Sequence, residues 1–198
     1  MNPTDNAEGS SEPPSEAYLS MVATRARDLR GVMARGQQPD PANLVGWEFR
    51  GTNLPARTAL FGLRRFIKGF RRDELERPIG YNKSVAGADL GTPWTPRAQR
   101  DGRLAFAYYT VAPVDPEALD NRHLRALLLD YGAVPEPERG IAGVLRDYLV
   151  RVEPGSDELL LGHAFAAVGR SRLPIGWFVL ERLQPIADPA SPLPWQSP

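Results

Sequence analysis

Arg103-Leu-Ala-Phe-Ala-Tyr-Tyr-Thr-Val-Ala112 reads as an extended chain, with Leu104, Phe106 and Tyr108 on one side and Ala105, Ala107, Tyr109 and Val111 on the other. Small residues alternating with aromatics suit the wall of a tightly curved sheet. From this stretch to residue 183 the chain breaks into short apolar runs separated by Gly, Pro and acidic turns, with no helical period between them. Strands are predicted over 126–131, 143–152, 158–168 and 175–183. Upstream, Leu44-Val-Gly-Trp-Glu-Phe-Arg-Gly51 places Val45, Trp47 and Phe49 on one side of an opening strand, and residues 79–85 form another. The connections are short. The predicted fold class is therefore mainly β, an antiparallel meander forming a barrel or a strongly curved sheet.

Two accessory helices are expected. Residues 16–35 follow Ser15 as N-cap and set Leu19, Val22, Leu29, Val32 and Met33 near one face before Gly36 stops the pattern. Residues 57–72, RTALFGLRRFIKGFRR, place Leu60, Leu63, Ile67 and Phe70 at helical spacing, although Gly62 and Gly69 weaken a helix. The arginines of that segment fit a solvated face, a cover over the open end of a barrel, or contact with an anionic membrane surface or acidic partner. Residues 1–15 and the Pro-rich 184–198 read as disordered tails. They leave a single folded domain over 16–183, with the barrel spanning 43–183.

Composition narrows the function classes. Lys plus Arg is 24 and Asp plus Glu is 24, so no net field draws the chain to nucleic acid, and the strands lack cations between their aromatics. Cysteine is absent, which removes disulfides and thiolate chemistry. The acidic, polar start has no signal-peptide pattern, and no apolar run reaches membrane length, so a soluble cytoplasmic protein is expected. His123 and His163, without cysteines or an acidic loop, predict no metal site. No Gly-rich phosphate loop is present, and no cofactor is predicted.

Several polar residues fall inside the predicted strands. If Pro154-Gly-Ser156 is the hairpin loop, Asp147 faces His163 and Tyr148 faces Gly162. Asp147 and His163 are then the candidate acid/base pair, against the ordinary reading of a structural cross-strand pair. Asp130 and Tyr131 are the alternative acid and base. Arg146 and Tyr148 project to one face with Val144, Val150 and Val152, and a guanidinium beside a phenol can receive a carboxylate. Arg146 could equally be satisfied by Asp130 or Glu48. The two lysines, Lys68 and Lys83, stand out in a chain that otherwise uses arginine.

The opening strand with Trp47, a helical cover, the meander and the late Trp177-Phe-Val-Leu-Glu-Arg182 together resemble the calycin barrels, the lipocalins and fatty-acid-binding proteins. In lipocalins a Gly-x-Trp motif on the first strand is covered by a late Arg. The resemblance gives those parts to Trp47 and Arg182, although Gly46 and Trp47 are adjacent here. Arg146-Asp147-Tyr148 is similar to the Arg-x-Tyr pair that holds a fatty acid's carboxylate. What the resemblance implies is binding of a small hydrophobic or amphipathic molecule, acids included, inside the barrel. Trp47, Phe49, Tyr108, Arg146 and Tyr148 are the expected lining. An isomerase, cyclase or hydrolase acting on a hydrophobic substrate would use the same cavity. A noncatalytic interaction module would use the basic segment and the Pro-rich tail around a filled barrel.

Overall fold

The computed structural model describes residues 12–54, 63–135, 142–189 and 193–196. Among the described residues nine strands follow one another: β1 (Trp47–Leu54), β2 (Arg65–Arg72), β3 (Pro78–Val85), β4 (Pro96–Arg97), β5 (Ala105–Pro113), β6 (Leu127–Asp130), β7 (Leu145–Arg151), β8 (Leu159–Val168) and β9 (Ser171–Pro185). All but the two-residue β4 pair antiparallel in the ring order β1-β2-β3-β5-β6-β7-β8-β9, and β9 returns to β1. The result is a closed eight-stranded up-and-down barrel, in which every strand edge is paired around the ring. The mainly β class and the barrel expected from the sequence are both present.

The helical region expected over 16–35 is present, and the helix expected over 57–72 is not. Residues 16–35 form two helices, α1 (Glu16–Ala23) and α2 (Ala26–Arg35), because Thr24 and Arg25 are extended. Ser15 does cap α1, its hydroxyl accepting the Tyr18 N–H at 3.1 Å. A short α3 (Pro41–Leu44) leads into β1. The basic segment corrects the reading of 57–72: residues 65–72 are β2, and residues 57–62 lie outside the described residues. Within Arg65-Phe-Ile-Lys-Gly-Phe-Arg-Arg72 a period of two places Phe66, Lys68 and Phe70 on one face. Gly69 and the β-branched Ile67 fit a strand better than a helix interior.

Three apolar layers result. Phe49, Phe66, Phe70, Tyr109, Leu129, Leu149, Leu160, Phe178 and Leu180 fill the barrel. Outside it, α1 and α2 lay Tyr18, Leu29 and Met33 against Tyr148, Val150, Leu161 and Val179. Trp94 covers Ile67, Val85 and Leu183 elsewhere on the outer face, its ring 6.4 Å from that of Tyr18. Residues 1–11 of the expected N-terminal tail lie outside the described residues, as do 190–192 and 197–198 of the C-terminal one. β9 runs on to Pro185, and Leu193 is buried at 1% exposure, so part of the Pro-rich end packs on the domain. Among the described residues no helix is long and apolar enough to cross a membrane.

Two local devices shape the interior. Gly51 pairs with Phe66 and Gly162 with Phe178, and each ring lies over its partner glycine so closely that a Cβ there would sit within 2.4 Å and 2.0 Å of ring carbon. Cross-strand aromatics covering glycines let the wall curve without a void. A β-bulge sets Gly80 opposite Tyr109 but Asn82 opposite Phe106, with Ala107 at φ +46°. The extra residue turns both Phe106 and Tyr109 inward, which strict alternation along β5 forbids.

Candidate functional site

At the end of the barrel where β1 stops and β2 begins, the apolar filling gives way to a polar cluster. Lys68 on β2 is 1% exposed, and its Nζ donates to Asn82 Oδ1 at 3.1 Å, Tyr131 Oη at 2.5 Å and Asp147 Oδ2 at 3.2 Å. The Tyr131 hydroxyl donates in turn to Asp147 Oδ2 at 2.9 Å. Asn82 Nδ2 donates to the Ala107 carbonyl at 2.9 Å. All three ammonium protons thus have acceptors, as a charge this deep requires.

The surroundings of Lys68 are aromatic. Its Nζ lies 4.4 Å from the centre of the Tyr109 ring, 5.1 Å from Tyr131, 5.4 Å from Phe178 and 5.8 Å from Phe66. These ring faces supply negative potential to a cation cut off from water. Burial nevertheless pushes the Lys68 ammonium below the usual lysine range, opposed by the charge of Asp147 and its hydrogen bond. Burial first, and then the charge of Asp147, hold the Tyr131 phenol well above its ordinary value. Tyr131 therefore keeps its proton and acts as a donor.

The cluster forms the floor of a cavity of about 60 Å³. Phe66, Phe178, Leu145, Ala107 and Ala164 wall it, and the half-buried Asn53, Leu63, Phe106 and Gly176 surround its outer end. At the opposite end of the barrel the Arg182 guanidinium stacks 4.5 Å from the Trp47 ring and 5.2 Å from Phe49. It is held there by Glu158 at 2.7 Å and by the Asn43 carbonyl at 3.2 Å.

Of the residues singled out from sequence, Asp147 reaches the cavity, and so does Tyr131 from the alternative pair. Phe49 is fully buried inside the barrel, and Trp47 packs against the same core at the far end. Three of the expected lining residues face outward, which corrects that reading. Arg146 pairs with Asp130 at 2.9 Å and Asp120 at 3.3 Å. Tyr148 is buried beneath the outer layer, against His123 and Phe165. Tyr108 meets Tyr81 and Trp195.

The Asp147–His163 pairing is also corrected. Tyr148, not Asp147, is opposite His163, and Asp147 is opposite Ala164. The β7–β8 connection is longer than three residues because Asp157 folds in to bind Arg151 at 2.5 Å and Asn43 at 2.9 Å. Ladder pairing consequently ends one step earlier, and a one-residue slip exchanges the faces. His163 lies on the outer face, stacked on Trp177 at 3.7 Å and 3.0 Å from His123.

Lys68 and Asn82 were not recognised as site residues from sequence. The usable signal for Lys68 was a lysine between Phe66 and Phe70 at strand spacing, hidden by the helical reading. Asn82 is a single amide in a strand and carries no such signal. Among the described residues no group of three or more His, Cys, Asp or Glu side chains is placed to hold a metal ion. Compared with known proteins, the chain matches no family model, no curated protein and no solved structure.

Proposed function

We propose that the barrel binds a small, mainly apolar and uncharged molecule whose one polar oxygen, a carbonyl or a hydroxyl, rests against Lys68, Tyr131 and Asn82. The observation that carries this reading is a charge-balanced hydrogen-bonding cluster at the floor of an otherwise mainly apolar cavity. Such a pocket orients a ligand by a few placed polar groups while the walls supply affinity. The position of Arg182 over Trp47 supports a calycin-like arrangement, with a capped end and a ligand end.

Two features narrow the ligand class. Asp147 already balances Lys68, so a free acid would bring a second negative charge beside a buried carboxylate. A volume of about 60 Å³ has room for roughly four waters, so a long acyl chain requires Phe66 or Phe178 to move. The favoured ligand is compact and neutral. An enzyme acting on such a molecule would use Tyr131 and Asp147, because His163 lies on the other side of the barrel wall.

Calorimetric titration with benzyl alcohol and with benzoate tests the reading. Saturable binding of the alcohol, weaker binding of benzoate, and loss of both in Ala164→Leu, which fills the cavity beside Asp147, are the expected results. Equal binding by wild type and Ala164→Leu, or preference for benzoate, overturns it.

A further inference from the structure

Lys68 has surroundings that a purely structural lysine does not need. The ammonium is in contact with a phenol that holds its proton, and that phenol touches the carboxylate that balances the charge. Amine, proton donor and proton acceptor thus share one hydrogen-bonded triangle, open on one side to a mainly apolar cavity. Desolvation favours the neutral, nucleophilic amine. The aromatic rings and Asp147 equally favour whichever cation stands at Nζ.

We propose that Lys68 captures aldehydes or unhindered ketones as an iminium adduct inside the barrel, a conclusion that rests on the cavity being the ligand site. One ammonium proton passes to Asp147, and the freed Nζ lone pair attacks the carbonyl carbon. The C–N bond forms as the C=O π pair moves to oxygen, which takes a proton from Tyr131. Asp147 reprotonates Tyr131 through their 2.9 Å contact. A second nitrogen proton follows the same route, the hydroxyl leaves as water, and the nitrogen lone pair closes the C=N bond. Two of the three ammonium protons therefore leave in the water, and the third stays on the iminium nitrogen. The charge at Nζ is the same before and after, so Asp147 and the rings keep their partner throughout. A protonated imine is activated for attack or for proton loss at the adjacent carbon, which places the site among those that process carbonyl compounds by covalent capture.

The chain has only two lysines, which makes the test direct. The full-length protein is treated with benzaldehyde and cyanoborohydride between pH 6 and 7, and modified peptides are identified by mass spectrometry. Lys68 is expected to be reductively alkylated at least tenfold faster than the half-buried Lys83. Tyr131→Phe, which keeps the ring but loses the proton donor, is expected to slow the Lys68 reaction by tenfold or more while the rate at Lys83, outside the cluster, is unchanged. Benzyl alcohol binding with Lys68 unmodified, or modified no faster than Lys83, overturns covalent capture and leaves the cavity reading standing. Failure of both benzyl alcohol binding and Lys68 modification overturns the two together.

Discussion

Lys68 and Asp147 stand on strands diametrically opposite in the barrel, β2 and β7, and meet across its interior at 3.2 Å. Four ladders separate them around either side of the ring, so neither charge has its partner until the barrel closes. Their pairing links closure of the sheet to completion of the site.

Removing one member of the pair is expected to be far worse than removing both. Lys68→Met leaves a buried carboxylate without its cation and is expected to cost about 3–5 kcal/mol, whereas Lys68→Met with Asp147→Leu recovers most of that loss. Urea unfolding of wild type, both single variants and the double variant gives the cycle. A double variant no more stable than Lys68→Met would show that packing, not charge, sets the effect.

Gly162→Ala is expected to push the Phe178 ring off the β8 backbone and into the cavity. The added Cβ would lie 2.0 Å from that ring, and both neighbouring walls are packed. The expected outcome is a loss of about 1–3 kcal/mol together with loss of benzyl alcohol binding. Denaturant titration and calorimetry on the same variant read both effects.

The outer histidine pair is expected to contribute to acid unfolding. Burial first, then His123 and Arg30, push His163 down to about 3, and burial with Arg122 lowers His123. Because the unfolded chain takes up these protons near pH 6.5 and the folded chain does not, stability falls as pH drops from about 6.5 toward 3. In His163→Phe that limb should be shallower, while stability at pH 8 changes little by comparison. An unchanged slope between pH 6.5 and 4 would remove the histidines from the account.

Asp120 holds two arginines from different strands, Arg146 on β7 and Arg172 on β9, with a contact to Arg172 Nη2 at 3.1 Å. Burial raises its carboxyl, but the hydrogen bond from Arg172 and the two guanidinium charges more than reverse this. Asp120→Ala is expected to cost about 1.5–3 kcal/mol through lost charge-assisted hydrogen bonds. Amide exchange should quicken over residues 115–126, the connection that Asp120 ties to the barrel. Protection unchanged in that connection would mean its apolar contacts hold it alone.

Alternation in 143–152 was legible because it is a local property in which side chains two apart share a face, whereas in 103–112 the bulge at Ala107 breaks it and separates Phe106 from Tyr108. The segment 57–72 was misread because an amphipathic pattern of Leu60, Leu63, Ile67 and Phe70 fits a helix when counted alone. Pairing of 65–72 with both β1 and β3 overrides that weak preference. The Asp147–His163 pairing failed by one residue, since Asp157 is bonded to Arg151 and Asn43 and no sequence rule measures a turn held by such long-range contacts.

The sequence by itself determined the β class, the meander connections and the presence of polar residues within the strands, because turn chemistry and two-residue periodicity act over a few neighbours. Tertiary structure alone decided which of those residues face inward and meet. Closure, the β5 bulge and the β7–β8 register bring Lys68, Asn82 and Asp147 from three strands, and Tyr131 from the end of β6, to one point, and each depends on contacts between residues far apart in the chain.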